Sequence, residues 1–183
     1  LKEGKMSLVL VPEISLTPQI IRRFYAHFPR LAVLHSGLSE GEKYDSWRLI
    51  QQGKVDVVIG ARSAVFAPCP NLGYIIMDEE HSDSYKQENT PRYDAKEVAK
   101  KRISYHKAKL ILGSATPTLE SYARAKKNIY HLVELKKRVN GKNLPSVLVV
   151  DMNKAIKNAK GVFSLPLLEA IKERLERKEQ VIL

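Results

Sequence analysis

The carboxylates Asp78 and Glu79 follow directly after a short apolar run from Tyr74 to Met77. This run has the length and the β-branched content of a buried strand. Ligands of an open parallel sheet bind beyond the carboxyl ends of its strands, so we expect both carboxylates to project into a crevice. Asp78 is suited to bind Mg²⁺ through water, and Glu79 is suited to act as a base on an attacking water. The alternative is a strand that ends in an acidic surface turn.

A second apolar run, from Lys109 to Leu112, ends in a cluster that contains the hydroxyls of Ser114 and Thr116. Two buried strands that both end in polar residues predict one shared site at the same edge of a sheet. Another interpretation makes Thr116 the N-cap of a helix that has Pro117 at its first position. The two roles are compatible.

The sequence D-E-E-H, from Asp78 to His81, followed by G-S-A-T-P, resembles motifs II and III of DEAH-like superfamily two helicases. Three longer stretches narrow the resemblance to the primosomal replication-restart helicases. These stretches are L-V-P-E-I-S-L-T-P-Q (10–19), G-A-R-S-A-V-F-A-P (60–68) and S-A-T-P-T-L-E-S (114–121). The motifs occur in the family's order through roughly the first two thirds of the chain.

This resemblance implies an ATP-dependent DNA helicase that moves 3′ to 5′ on single-stranded DNA in replication restart and primosome assembly. ATP and Mg²⁺ are the implied cofactors, together with zinc bound by a cysteine cluster that this chain, with one cysteine, does not contain. The implied partners are single-stranded and forked DNA, primosome proteins and single-stranded-DNA-binding protein, in the bacterial cytoplasm. Two alternatives stay open: another DNA translocase (RecG-like or restriction-type) and a non-catalytic nucleic-acid-binding module.

Within motif II, the resemblance adds Glu80 and His81 to the catalytic residues. They would relay the state of the nucleotide to motif III, where Ser114 and Thr116 would couple hydrolysis to movement on the strand. The alternative is that Glu80 is solvated and that His81 caps a turn.

Nucleic-acid contacts are predicted in three loops, because cations and hydroxyls bind phosphates and aromatic faces stack on bases. The loop from Tyr85 to Tyr93 resembles the aromatic-rich loop of the family. The predicted residues are Ser15, Thr17, Arg62, Ser63, Tyr85, Lys86, Arg92 and Tyr93. Turn and capping chemistry is the alternative for Ser15 and Thr17, and packing against the lobe is the alternative for the tyrosines.

The phosphate-loop pattern G-x-x-x-x-G-K-[ST] occurs nowhere in the 183 residues. In the family this loop precedes the first motif recognised here, so we expect it upstream of Leu1 and interpret the chain as a fragment. Phosphoryl transfer depends mainly on positioning and charge stabilisation. We therefore expect the isolated chain to hydrolyse no ATP at a meaningful rate.

Alternating strand and helix patterns predict an α/β fold with a parallel sheet and right-handed crossovers. The resemblance implies a RecA-like parallel sheet flanked by helices. This sheet would form lobe one, without its phosphate-loop strand and helix, and the chain would also contain the first elements of a second RecA-like lobe. The expected divisions are partial lobe one at 1–135, a basic linker at 136–146 and the start of lobe two at 147–183. Lobe two should begin with a strand at 147–150, and Trp47 should lie in the core of lobe one.

Lysine and arginine outnumber aspartate and glutamate by 31 to 20, which gives a net charge of +11. This excess favours a polyanionic partner such as nucleic acid. One cysteine, Cys69, cannot form a disulfide framework or a zinc cluster, and we expect it to be a structural thiol. No apolar run has the length of a membrane span, so no membrane partner is predicted.

Overall fold

The computed structural model describes residues 4–12, 17–135, 146–155 and 162–183. It divides the chain into two compact units, Leu1–Leu132 and Val133–Leu183. The predicted linker lies almost wholly outside the described residues, so the expected lobe boundaries stay a prediction.

The first unit is built on a five-stranded sheet in which every pairing is parallel. Its strands are β1 (Met6–Leu10), β2 (Leu31–Leu34), β3 (Val57–Gly60), β4 (Leu72–Met77) and β7 (Lys109–Leu112), in the order β2-β3-β1-β4-β7. The central strands are almost continuously apolar, as expected for strands that are buried on both faces. The predicted α/β architecture is confirmed.

Three helices and a small hairpin connect these strands, and a fourth helix follows the last strand. The helices are α1 (Pro18–His27), α2 (Glu40–Gln51), α3 (Ala95–His106) and α4 (Leu119–Lys126), and short 3-10 turns span Arg62–Phe66 and Asp83–Tyr85. The hairpin pairs β5 (Lys86–Gln87) with β6 (Tyr93–Asp94) in antiparallel orientation. Thr17 caps α1, Asp94 caps α3, and Ser39 forms a capping box with Glu42 at the start of α2.

The two faces of the sheet carry separate apolar cores, because alternate side chains of each strand point to opposite faces. Leu8 and Leu10 of β1 belong to the core that includes Ile50 of α2 and Ala99 of α3. The other core packs against α1, and its residues include Val9, Val33, Ile59, Ile20 and Phe24. Both layers hold the carboxyl ends of the strands in fixed positions.

Helix α4 begins later than the sequence pattern predicted. The expected cap was Thr116, but Thr118 is the N-cap, and its side chain accepts a hydrogen bond from the backbone N–H of Ser121. Thr116 is exposed, and its own N–H donates to Ser114 Oγ at 3.0 Å. The turn after β7 is therefore longer than predicted.

Trp47 was also placed wrongly by the sequence pattern, since its side chain is 41% exposed. Ile50 is the residue of α2 that is fully buried in the core. Cys69 is buried, and burial raises the pKa of its thiol, with Arg102 acting in the opposite direction. A thiol of this kind is typical of a structural role.

The second unit contains the helices α5 (Met152–Ala155) and α6 (Leu165–Glu176), the latter capped by Ser164. The strand predicted at 147–150 is wrong, because those residues have no regular structure and the side chains of Val147, Leu148 and Val149 are exposed. The apolar residues near the end of the chain form no strand either. A strand needs a hydrogen-bonded neighbour along its length, and neither sheet of the structure includes a strand from the described part of this unit. No helix among the described residues is long and apolar enough to cross a membrane.

Replacing Gly60 with alanine should lower the free energy of unfolding by about 1–3 kcal/mol, because overpacked positions force backbone shifts. The added Cβ would lie 2.5 Å from Cβ of Ala64 and 2.6 Å from the carbonyl oxygen of Leu34. At Gly41 in α2 an added Cβ meets nothing within 4 Å, so this control should gain up to about 1 kcal/mol from helix propensity. Chemical denaturation measures both effects, and equal effects would contradict the close approach at Gly60.

Candidate active site at the carboxyl edge of the sheet

The four residues of D-E-E-H form a tight turn directly after β4. The N–H of Asp78 donates to the carbonyl of Leu10 on β1, and the N–H of Glu80 donates to the carbonyl of Gly113 after β7. The turn is thus bonded to both neighbouring strands. Its place at the carboxyl edge of a parallel sheet is the position that the sequence predicted for a ligand site.

Successive side chains of this turn lie in different environments. Asp78 is exposed, Glu79 is partly exposed, and Glu80 is buried. Glu79 adopts a left-handed backbone conformation with φ of 46°, which is uncommon outside glycine. This conformation reverses the direction of the chain, so that consecutive carboxylates lie in different environments.

His81 connects the turn with the residues that follow β7. Its Nδ1 lies 2.7 Å from Oγ of Ser114 and 3.5 Å from Oε2 of Glu79. The structure therefore brings three of the predicted site residues together at one edge of the sheet. Thr116 is joined to this group only through its backbone N–H.

The donor set is compatible with Mg²⁺. This ion is usually held by one or two carboxylates, several waters and the phosphates of a substrate. Asp78 offers an exposed carboxylate that lies close to Gly113. A Cβ added at Gly113 would be 3.6 Å from Asp78 Oδ1. Within the described ranges, no group of three or more His, Cys, Asp or Glu side chains could cage a metal ion by itself. Asp78, with Glu79 beside it, is the place where a hydrated ion would fit.

Glu80 is a buried carboxylate that several donors satisfy. Its oxygens accept hydrogen bonds from Lys96 Nζ at 2.6 Å, from the Thr118 N–H at 2.7 Å and from Ser121 Oγ at 3.1 Å. The hydroxyl of Thr118 also lies 3.1 Å from Glu80 Oε1. The alternative that left Glu80 solvated is wrong, because the first turns of α3 and α4 enclose it.

These donors keep Glu80 ionised. Burial by itself raises the pKa of Glu80, but the hydrogen bonds from Lys96 and Thr118 outweigh burial and hold it below its usual value. The stability contributed by such a group is present above its unfolded-state pKa and is lost as the pH falls through the lowered folded-state pKa. Glu80 is therefore a charged anchor of the site at neutral pH.

Tyr85, which was predicted to contact nucleic acid, is buried. Its side chain is only 2% exposed, and its hydroxyl donates to the carbonyl oxygens of Leu10 at 2.9 Å and Asp78 at 2.6 Å. Burial, together with the nearby charges of Asp78 and Glu79, raises the pKa of Tyr85 above its usual value. In this structure Tyr85 supports the carboxylate turn from below, so its ring is not available to stack on a base.

Arg62 is bonded to the chain segment that follows the carboxylates. Its Nη1 donates to the carbonyl oxygens of Lys86 at 2.7 Å and Ser84 at 3.3 Å, and its guanidinium lies 5.8 Å from the ring centroid of Tyr93. The ring of Tyr93 meets that of Phe66 edge-on at 4.9 Å. Arg62 therefore orders the hairpin. Its Nε is buried without a hydrogen-bond partner among the described residues.

The remaining predicted nucleic-acid contacts are spread over the surface. Lys86 is exposed and pairs with Asp83 at 3.1 Å, and Arg92 is exposed while its Nε donates to the carbonyl of Glu88. Ser63 is exposed. Thr17 is occupied as the cap of α1, which agrees with its alternative interpretation. Ser15 lies outside the described residues.

A cavity of about 520 Å³ opens beside the 3-10 turn that contains Arg62. Two cations, Lys43 and Arg62, line it together with the half-exposed ring of Trp47. His35, Ser63 and Ser84 also contribute to its wall. Cations and an exposed aromatic ring around one cavity are typical of single-stranded nucleic-acid sites.

The residues that the sequence analysis missed are Lys96, Thr118 and Ser121. Each donates a hydrogen bond to Glu80, from an element that lies far from it in the sequence. A faint signal was available for α4, because T-x-x-S at 118–121 has the spacing of a helix cap. No pattern marked Lys96, because a lysine in the first turn of a helix is usually solvated.

Comparisons with known proteins show the family to which the chain belongs. Residues 1–125 match the model of the DEAD/DEAH box helicase family, and the chain therefore belongs to that family. The predicted RecA-like sheet, flanked by helices, is confirmed. Among solved structures, the chain is similar to RecG bound to a three-way DNA junction, with 26% identity and a TM-score of 0.45 over 67% of this chain and 16% of that one.

More specific relatives are bacterial proteins named replication restart protein PriA. The chain is 56% identical over 185 residues to that of Bacillus subtilis and 48% identical over 190 residues to that of Synechocystis sp.. In each case the match covers 100% of this chain and 23% of the relative. The predicted resemblance to replication-restart helicases is confirmed, and the chain spans about a quarter of the length of these relatives.

Replacing Tyr85 with phenylalanine should lower the free energy of unfolding by about 1–3 kcal/mol, because the buried hydrogen bond to the Leu10 carbonyl and the part-buried one to the Asp78 carbonyl are lost. Tyr105, whose side chain is 86% exposed, provides the control, and its change to phenylalanine should alter stability by less than about 0.5 kcal/mol. Thermal or denaturant unfolding of both variants tests this. A Tyr85→Phe variant as stable as the unaltered chain would show that the hydroxyl supports nothing.

Proposed function

We propose that the chain is part of an ATP-dependent DNA helicase that acts in replication restart. The observation that carries this proposal is the arrangement of Asp78, Glu79, His81 and Ser114 at the carboxyl edge of the sheet, in a chain similar throughout to proteins named for that process. Movement 3′ to 5′ on single-stranded DNA and a role in primosome assembly belong to the same proposal.

In this proposal Asp78 and Glu79 divide the chemistry of hydrolysis. Mg²⁺, when bound, would neutralise charge on the phosphates, and exposed Asp78 is the residue that would hold it through water. Glu79 would orient and deprotonate the attacking water. The hydrogen bond from the N–H of Glu79 to Asp78 Oδ1, at 3.1 Å, supports a fixed relation between the two carboxylates.

His81 would report the state of this site to the residues after β7. Its contact with Ser114 joins the turn after β4 to the turn after β7, and these are adjacent strands. The carboxylate of Glu79 lies only 3.5 Å from the His81 ring, so a movement of Glu79 would be passed to Ser114 through the side chain of His81. Thr116 would act with Ser114, because its N–H is bonded to the hydroxyl of that serine.

Single-stranded DNA is the proposed polymer substrate. Arg62 and Ser63 would contact its phosphates beside the cavity, and exposed Lys86 and Arg92 would add further contacts along the hairpin. The ring of Trp47, on the same cavity, would stack on a base, a role that sequence alone did not suggest. The net charge of +11 supports a polyanionic partner.

Partners and location belong to the same proposal. We propose forked DNA, primosome proteins and single-stranded-DNA-binding protein as partners of the whole helicase, in the bacterial cytoplasm where the chromosome is replicated. Zinc would belong to another part of that protein, because this chain has a single cysteine, which is buried. The residues that cradle the ATP phosphates would also lie elsewhere, since the 183 residues contain no phosphate-loop pattern.

In the full-length helicase, Glu79→Gln should reduce DNA-stimulated ATP hydrolysis by about 10²-fold or more while nucleotide binding persists, because glutamine cannot accept a proton. Asp78→Asn should instead weaken Mg²⁺-dependent nucleotide binding. ATPase assays and binding of a labelled nucleotide with and without Mg²⁺ separate the two roles. Glu169→Gln, a change at an exposed residue of helix α6, is the control. Hydrolysis by Glu79→Gln at the unaltered rate would refute the assignment, and a full-length protein without any ATPase would favour the non-catalytic binding module.

Trp47 is the single tryptophan of the 183 residues, so its fluorescence reports directly on the cavity. We expect oligothymidylate to quench it more strongly than an abasic strand of equal length. Trp47→Ala should weaken binding of oligothymidylate by about 1–3 kcal/mol, the contribution of one stacked base. Tyr25→Ala is the matched control, because Tyr25 is similarly exposed, at 48%, on helix α1 outside the cavity. Equal binding of both oligonucleotides by the unaltered chain would refute stacking.

A further inference from the structure

Three elements of the first unit meet at one carboxylate. Glu80 belongs to the turn after β4, Lys96 to the first turn of α3, and Thr118 is the N-cap of α4. Lys96 Nζ lies 2.6 Å from Glu80 Oε2 and 3.3 Å from Thr118 Oγ1, so it bridges the other two residues. None of these contacts is needed to close the sheet, which is complete without them.

Lys96 is also the nearest of the three to the hairpin. Strand β6 ends at Asp94, and the side chain of Asp94 accepts a hydrogen bond from the N–H of Lys96 at 2.7 Å. Asp94 pairs in turn with Lys86 across the hairpin. A displacement of the hairpin would therefore move the start of α3 and the lysine that holds Glu80.

The contact is well placed to transmit such a displacement, because little of either side chain is exposed to water. The side chains of Lys96 and Glu80 are only 15% and 1% exposed. A charge that loses its partner in such a site is left uncompensated, so the two side chains must move together. The ion pairs of Lys86 and Lys100 lie nearer the surface, where solvent screens them.

We propose that Lys96 is a positioning residue that couples DNA bound at the hairpin to the carboxylate turn. It would act through Glu80, which lies in the same turn as Asp78 and Glu79. The other carboxylate oxygen of Glu80 accepts a hydrogen bond from the N–H of Thr118, the N-cap of α4. This inference rests on the proposed helicase function. The ring of Tyr85 offers no such route through a stacked base, because it is buried.

The test uses the full-length helicase and compares Lys96→Gln with Lys100→Gln. Lys100 lies one turn further along α3 and pairs with Glu97, so its removal controls for loss of a lysine and an ion pair on the same helix. We expect Lys96→Gln to lower the ratio of DNA-stimulated to basal ATPase by about fivefold or more, the size of an ordinary coupling effect. Basal ATPase should change much less, and Lys100→Gln should keep the ratio of the unaltered enzyme.

Melting temperature is measured beside each rate, because removing one member of a buried pair also destabilises the fold. If Lys96→Gln does not fold, the double variant Glu80→Gln/Lys96→Met removes both charges and should fold while remaining uncoupled. Lys96→Arg keeps the charge and should restore part of the ratio. A loss of stability with an unchanged ratio of stimulation, in either the single or the double variant, would overturn the inference.

Hydrogen exchange of the unaltered helicase supplies a measurement without substitutions. Single-stranded DNA should change the protection of amides at the start of α4, including that of Tyr122, which donates to the Thr118 carbonyl, together with those of the hairpin. A response confined to the hairpin would overturn the inference and leave the helicase function standing. Absence of DNA-stimulated ATPase in the unaltered enzyme would instead refute the proposed function, and this inference with it.

Discussion

The buried charge of Glu80 is the interaction on which the arrangement of the site depends. A carboxylate removed from water must be compensated by donors, and here they come from the first turns of α3 and α4. Those helices must therefore begin where their lysine, threonine and serine can reach the end of β4. This requirement explains why α4 starts at Leu119, two residues later than its sequence pattern suggested.

With Glu80 directed inward, the neighbouring carboxylates are left at the surface of the crevice. The left-handed conformation of Glu79 reverses the chain within the turn, and Asp78 remains exposed beside Gly113. Four consecutive polar residues thus lie in four settings: an exposed carboxylate, a partly exposed carboxylate, a buried carboxylate and a histidine bonded to Ser114. Strained backbone at such a place is common at functional sites, because the surrounding structure holds it.

The segment after the turn is ordered mainly by its own polar groups. Arg62 bonds two carbonyls of this segment, Tyr85 bonds two carbonyls beneath the turn, and Arg92 bonds the carbonyl of Glu88. Side chains that looked available for DNA are therefore partly occupied in holding the loop. The cavity beside Arg62, with the half-exposed ring of Trp47, is a better-defined surface for a base than the ring of Tyr85.

Sequence by itself determined the parallel sheet, the caps of α1, α2 and α3, and the placement of Asp78, Glu79 and Ser114 at one edge. Apolar runs, cap residues and strand ends are local patterns, and their spacing is visible in the chain. Tertiary structure alone decided that Tyr85 is buried, that Trp47 is exposed and that Lys96 reaches Glu80. It also decided that residues 147–150 form no strand, since a strand needs a partner that no local pattern can supply. These outcomes depend on which distant groups meet and exclude water, and that is a property of the packed molecule and not of any single segment.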